Sequence, residues 1–564
     1  MTARAPLLVT ESTTATCSSR HGWTVLFCTL VVQFCLQAYF FPVGELLSST
    51  PLYYIDSPFH QYQMEVARHL CARNQLVGYD PFFAAGYLGG VTFNASAKLP
   101  AAMQCLVGST LDVAVVYKIF SFSMGVLAPL ALVVAGMLLR LDARAVWVLA
   151  AFAVLNWWTG PIRWYHTAGL VSYVAVAYWV VPFAVTTSII CRAPNWTRLS
   201  MVSLAAAFGT LVHPLFVVAA TLLCSPLLLG DLRGHGGVRR IAMLVLWICG
   251  GVLVVNGAWL IASVGVANLA SGEQPYQRLV DPMLAVREVL GTAGTATGGS
   301  RFYAAFLAGA TAALVLSAGP LRRALLMLVV AAVGLMAWAS IGALSLRIAA
   351  LQPNRFSALA WIVLAVPAAW GASALWAELQ RSRGARRTAC GAGLAVLAAA
   401  SLIAVRDAGF EVFSQRSARY AVVRPEVKHD HMLSVAVVDW LRTRTTPSAR
   451  VYFETSLGRI HDRAHMAGIY ALLSQREFIG GPYPFTDFAS AWDGFAFGRP
   501  LEAFAPTELA RYLDLYNVRW MLCHSLSCRL AMTALTDTRE VATIGPVTAF
   551  ERAITPSYFI SGSG

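Results

Sequence analysis

Asp56 and His60 stand four residues apart in Tyr53-Tyr-Ile-Asp56-Ser-Pro-Phe-His60, a carboxylate and an imidazole within one helical turn of each other. A carboxylate in such a place can act as general base, taking the proton of an attacking hydroxyl in the transition state. The plainer reading is that Asp56 caps the helix that follows, with Pro58 in its first turn. His60 is then a surface or hydrogen-bonded histidine rather than a partner. A second cluster is Leu351-Gln-Pro-Asn-Arg355-Phe356. Its guanidinium can grip a phosphate or diphosphate through two parallel hydrogen bonds. An arginine at the end of an apolar run can equally snorkel to the membrane interface. Arg347, Arg163 in Ile162-Arg-Trp-Tyr-His166, and Lys98 are further phosphate-binding candidates.

Other polar residues read as secondary. Asp80 lies in a Gly/aromatic stretch, Gly78-Tyr-Asp80-Pro-Phe-Phe-Ala-Ala-Gly-Tyr-Leu-Gly-Gly. Arg278 and Asp281 lie in Gln274-Pro-Tyr-Gln-Arg278-Leu-Val-Asp281, ahead of a Gly- and Thr-rich run at 291–300, and could belong to a lid that orders over substrate. A flexible connector is the alternative. His461 and His465 have the i,i+4 spacing that can ligate a metal on a helix, beside Asp462, and His429-Asp-His431 is a second group. Neither brings a complete ligand set, so no metal site is assigned; a divalent cation stays an open option. P-loop, GxSxG, HExxH and dinucleotide-binding signatures are absent.

The elements that must carry these residues are mostly membrane spans. Of 564 residues 57% are hydrophobic and 12% charged, a balance that only lipid can solvate over most of the chain. A span needs about 20 apolar residues to cross roughly 30 Å of hydrocarbon. Apolar runs of about that kind fall at 22–42, 112–139, 145–158, 168–190, 199–212, 214–230, 240–266, 303–319, 324–344, 356–378 and 386–405. The pair meeting at His213-Pro214 is short and could dip to mid-membrane as a broken pair. The net charge of +14 is concentrated in short breaks: Arg140 and Arg144; Arg192 and Arg198; Arg233, Arg239 and Arg240; Arg322 and Arg323; and Arg381, Arg383, Arg386 and Arg387. Alternate breaks being basic places the N-terminal tail (1–21) in the cytoplasm, and loops 43–111 and 267–302 and everything beyond 405 outside. No basic stripe with interleaved aromatics points to nucleic acid.

Beyond 405 the pattern changes. Val435–Leu441 reads as an amphipathic helix, while Arg450–Glu454 and Val518–Leu522 read as strands, the second following a helix-like Leu509–Tyr516. The expected architecture is mainly α: a polytopic bundle of about eleven spans over 22–405, then an extracytoplasmic α/β domain over 406–564. Six of the eleven cysteines lie in or near spans and Cys17 in the tail. Cys71 with Cys105, and Cys523 with Cys528, fall outside, where disulfides can form; an unpaired reading of Cys523 and Cys528 is equally open.

Together these pieces resemble the GT-C superfamily of polyprenyl-phosphate-dependent glycosyltransferases. More narrowly, they resemble bacterial membrane proteins described as 6-pyruvoyl-tetrahydropterin synthase-related. The likeness rests on Asp56-x-x-x-His60 after the first span, the Gly/aromatic stretch Gly78–Gly90, Pro353-x-Arg355-Phe356 at a late span, and a domain beyond the last span. The loop departs from many members in lacking an adjacent Asp/Glu pair. The resemblance implies an enzyme of the inner (plasma) membrane that moves a sugar, with inversion, from a polyprenyl-phosphate-linked donor to an extracytoplasmic glycan, lipid or protein. It would make Asp56 the base and put Arg355 near the donor phosphate. The alternatives are a transporter or lipid-carrier flippase, whose spans would carry ionisable residues of which His213 is the main example, or a non-catalytic assembly scaffold.

Overall fold

The computed structural model describes residues 19–92, 98–159, 161–229, 237–266, 280–291, 300–349, 351–413, 425–455, 465–482 and 494–557. Every apolar run becomes a helix. Seven helices among the described residues are long and apolar enough to cross a membrane: Ser19–Phe40, Val113–Leu138, Val171–Arg192, Gly237–Gly265, Gly319–Ile341, Phe356–Arg381 and Gly384–Phe413. Ala143–Thr159 is followed by Pro161–Thr167 at a 59° bend, the place for a residue that cannot donate its own backbone hydrogen bond. Trp196–Val212, Leu215–Leu229 and Tyr303–Leu316 are shorter apolar helices. The expected break falls where proline puts it, between Val212 and Leu215, with His213 in extended conformation. Gly384–Phe413 continues past the apolar run that ends at 405.

Phe356–Arg381 is the axis of the bundle and almost wholly buried. It packs on Tyr303–Leu316, Gly319–Ile341 and Ala143–Thr159. Small residues permit the closest of these approaches: a Cβ on Gly309 would lie 2.5 Å from the Ala368 carbonyl, and one on Gly371 would run into the Gly309 carbonyl. Ser19–Phe40, Gly237–Gly265 and Gly384–Phe413 are mostly exposed along their lengths, as lipid-facing helices are.

Between the first two long helices, the chain forms helix Ser57–Cys71, a short antiparallel pair β1 (Gly78–Asp80) and β2 (Tyr87–Gly89), and helix Lys98–Val107. A Cys71–Cys105 disulfide ties the two helices together. The C-terminal unit holds a four-stranded sheet of β3 (Arg450–Phe453), β6 (Val518–Cys523), β7 (Thr538–Ile544) and β8 (Val547–Arg552) in the order β3-β6-β8-β7. Only β3–β6 is parallel. The two-residue strands β4 (Phe495–Ala496) and β5 (Arg499–Pro500) pair separately. Helices Pro425–Arg444, Ala467–Ser474, Pro506–Leu515 and Leu526–Thr533 accompany the sheet, so both expected strands and the helix around Val435 are present.

Loop and C-terminal unit share one hydrophobic core. Tyr53, Tyr62, Val66, Leu70, Phe83 and Tyr87 pack with Leu441, Val451, Phe453, Ile469, Phe478 and Trp520. Burying each large apolar side chain stabilises by roughly 1.5–3 kcal/mol, which makes this a strong seam. The helix Ala467–Ser474 lies so close that a Cβ on Gly468 would meet the Tyr62 ring at 2.6 Å. Backbone bonds cross the seam as well, with Phe478 N–H donating to Phe82 O (2.7 Å) and His465 N–H to Ile55 O (2.9 Å). The first loop and the C-terminal unit are therefore at the same end of the bundle.

Candidate active site

Asp56 occupies the N-cap position of helix Ser57–Cys71, with a proline in the first turn, yet its carboxylate makes no capping bond. The local backbone explains this. Ile55 is held at φ +40°, a left-handed conformation that a β-branched residue rarely adopts. Asp56 itself has helical φ and ψ instead of the extended pair usual for a cap, and its N–H donates to Ala168 O at 2.9 Å. The carboxylate is thereby turned away from the helix N-terminus. The connection at 168–170 can lie against it only because residue 169 is glycine (φ +97°). Any Cβ there would come within 2.7 Å of Ser57 N and 3.0 Å of the Asp56 Cβ.

Instead of the helix, the carboxylate meets the C-terminal unit. His465 Nε2 lies 3.3 Å from Asp56 Oδ1, both side chains being buried. This is ion-pair distance, although the Oδ1 atom accepts no well-aligned hydrogen bond. Burial pushes the Asp56 carboxyl up, but the His465 imidazole, by contact and by charge, and then the charges of His60 and Arg355 outweigh it and hold the group below its usual value. His60 is one turn along, 7% exposed, with its Nδ1 free of any hydrogen bond and its ring 6.1 Å from that of Tyr117. Burial lowers its basicity, which Asp56 opposes and Arg355 and His465 reinforce.

Arg355 closes a one-turn helix, Pro353–Arg355, at the head of Phe356–Arg381. Tyr173 positions it: the hydroxyl donates to the Arg355 carbonyl, and the ring centroid lies 5.9 Å from the guanidinium. The guanidinium is half-buried and pairs with no carboxylate among the described residues, while its charge reaches Asp56 and His60. In the same turn the side-chain oxygens of Gln352 and Asn354 are buried without partners. His213 is spent on its own break, its Nδ1 accepting from Leu215 N (3.1 Å), with its ring edge 5.9 Å from Tyr173. The result is a carboxylate, two imidazoles and an unpaired guanidinium in one mostly buried cluster at the bundle's end.

The remaining sequence candidates fall elsewhere or outside view. Arg163 is buried on Pro161–Thr167, whose end leads into the 168–170 connection. Lys98 donates to the Gly90 carbonyl and lies 5.3 Å from the Trp259 ring centroid, and burial pushes its ammonium down to about 8. Neither of these contacts joins it to Asp56 or Arg355. Asp80 is tied up, accepting from Tyr62 Oη (2.5 Å) and Phe82 N (3.0 Å). Asp281 accepts from Met283 N (3.0 Å) and pairs with Arg287 (3.3 Å), starting helix Leu284–Leu290. Arg278, His461 and the Arg347, His429 and Asp430 side chains lie outside the described residues. His431 Nδ1 is 2.8 Å from the Tyr53 hydroxyl.

Two groups near the cluster escaped the sequence reading. His465 was visible only as half of a metal-like spacing. Glu288 sits on Leu284–Leu290, fully buried, accepting from Ser357 Oγ (2.7 Å) and Trp361 Nε1 (2.6 Å). Burial pushes it up against those two bonds, and its charge reaches Tyr165 and Tyr173. An acidic residue set among Leu284, Val286 and Leu290 was the available signal.

For a metal, Glu454, Cys523 and Cys528 offer ligand atoms within 4.8 Å of one another. The donor chemistry does not fit in this state. The cysteines form a disulfide, and the Glu454 oxygens already accept from Gly494 N, His524 N, Ser525 N and Ser525 Oγ at 2.6–2.9 Å.

No family model and no curated protein matches the chain. Solved structures do. The arabinofuranosyltransferase AftD from Mycobacteria superposes with a TM-score of 0.61 at 13% identity, over 96% of this chain and 40% of that one. The Archaeoglobus fulgidus oligosaccharyltransferase in its apo form gives 0.51 at 14%, over 92% and 72%. Its complex with Zn and sulfate gives 0.50 at 13%, over 90% and 70%. The chain thus shares the membrane fold of these structures and spans two fifths of the length of AftD. None of these three is of the narrower, pterin-synthase-related kind.

Proposed function

We propose that the chain is an inverting membrane glycosyltransferase that takes a sugar from a polyprenyl-phosphate-linked donor and gives it to an extracytoplasmic acceptor, with Asp56 as general base. One observation carries the reading: a carboxylate at a helix N-cap declines the cap and sits in a buried cluster with a guanidinium that, among the described residues, pairs with no carboxylate. Holding it there uses a strained Ile55 and a glycine at 169, a cost of order 1–3 kcal/mol of the kind that functional sites retain. The fold shared with AftD and the archaeal oligosaccharyltransferase supports the reaction class.

In this reaction the acceptor hydroxyl gives its proton to Asp56 as its oxygen attacks the anomeric carbon. A new C–O bond forms on the face opposite the donor phosphate, whose own C–O bond breaks. Arg355, with the Gln352 and Asn354 side-chain oxygens beside it to orient sugar hydroxyls, takes up the charge developing on the leaving phosphate. The phosphate lipid stays in the membrane, which explains a site built at the end of apolar helices. The N-terminus faces the cytoplasm, and the first loop and the residues beyond 405 face the outside of the plasma membrane. The latter form the domain that selects the acceptor.

The test is Asp56→Asn, purified in nanodiscs and assayed with radiolabelled sugars on polyprenyl phosphate. The expected result is a fall in kcat of about 10²–10⁴ with the melting temperature nearly unchanged. Turnover equal to wild type would remove Asp56 from the mechanism.

A further inference from the structure

His465 enters the cluster from 409 residues away in sequence, and it is the only contribution of the C-terminal unit to the Asp56 carboxylate among the described residues. It is anchored twice. Its backbone N–H holds the carbonyl of the strained Ile55 (2.9 Å), and its Nε2 stands 3.3 Å from Asp56 Oδ1. The next residues begin helix Ala467–Ser474, pressed onto the Tyr62 ring of the Asp56 helix. The same dipeptide step thus fixes the backbone that turns the carboxylate and supplies the group that faces it.

On the reading that Asp56 is the base, we infer that His465 is its positioning residue, and that the transfer site is complete only when the C-terminal unit is docked. A carboxylate this deeply buried favours its neutral acid, which cannot accept a proton. The groups that face it must reverse that preference. From its own helix comes His60, from the head of Phe356–Arg381 comes Arg355, and from the C-terminal unit comes His465; Tyr117 of Val113–Leu138 also feels the Asp56 charge but does not lower the carboxyl's pKa. Among the described residues only His465 stands within ion-pair distance. It also ties base strength to docking: an undocked C-terminal unit would release Ile55 from its left-handed conformation and leave the carboxylate without its nearest partner.

The experiment is the pH dependence of kcat in full-length protein carrying His465→Leu or His465→Gln, beside wild type and Asp56→Asn. Wild type holds its activity down through the weakly acidic range, because Asp56 stays ionised below its usual value. In His465→Leu the acid limb moves to higher pH by about 1–3 units, so that turnover the wild type keeps in the weakly acidic range is lost there and returns toward neutral pH. His465→Gln keeps a hydrogen-bond donor facing the carboxylate; its limb shifts in the same direction by less. A merely structural role would lower kcat at every pH alike. Melting temperatures of the two single variants and of Asp56→Asn with His465→Leu combined give an independent reading, since a real pair is non-additive. If the limb is unmoved in both His465 variants while Asp56→Asn is inactive, the inference is overturned and Asp56 remains the base. If Asp56→Asn is active, the reading itself falls and the inference with it. Should His465→Leu not fold, His465→Gln decides: a wild-type profile there overturns the proposal.

Discussion

At the scale of single residues, the cluster is defined by what its members decline to do. Asp56 does not cap its helix, and Arg355 pairs with no described carboxylate. The second fact yields a prediction. If Arg355 receives a phosphate through two parallel hydrogen bonds, Arg355→Lys keeps the charge but loses the fork. Donor KM should rise about tenfold or more while the acceptor KM is little changed, and steady-state kinetics with each substrate varied in turn would check it; an unchanged donor KM would return Arg355 to the role of interfacial anchor. Asp56, His60 and Arg355 were legible in the sequence, because each stands two residues from a proline in a stretch that joins apolar runs, where an ionisable group needs a reason to be there. His465 and Glu288 were not. Each acts through a partner hundreds or tens of residues distant, and nothing in local spacing encodes that.

Among the elements, hydrophobic run length sufficed to locate all eleven apolar helices, because lipid demands it of each helix separately. It did not reveal the bend between Ala143–Thr159 and Pro161–Thr167; the helix after Asp56 was legible from its own local pattern instead and is present as Ser57–Cys71. Helix Ser57–Cys71, which carries Asp56 at its start, is pinned to Lys98–Val107 by the Cys71–Cys105 disulfide across 34 residues. Closing a loop of that length constrains the unfolded chain by about 3–4 kcal/mol. Cys71→Ser and Cys105→Ser should each lower the melting temperature, and the double substitution should be no worse than either single one. Additive losses in the double variant would mean that the two thiols act separately.

For the whole molecule, the decisive feature is a shared core. Tyr62 and Phe83 of the first loop and Phe453 and Phe478 of the C-terminal unit bury one another, so two segments far apart in sequence behave as one lid over the bundle's end. Charge phasing predicts that the two segments share one side of the membrane, but nothing in it says that they pack into one body. Periodicity reports which face of an element is apolar, not what covers it. The account as a whole requires that the donor's phosphate enter beneath this lid at Arg355, with the anomeric carbon toward Asp56. A cryo-EM structure of the chain in nanodiscs with a non-hydrolysable polyprenyl-phosphate sugar tests that most directly. The account predicts phosphate density within hydrogen-bonding reach of the Arg355 guanidinium and the sugar between it and the Asp56 carboxylate. Phosphate density bound elsewhere, for instance at Lys98 beside Trp259, with the Asp56–Arg355 cluster empty, would contradict it.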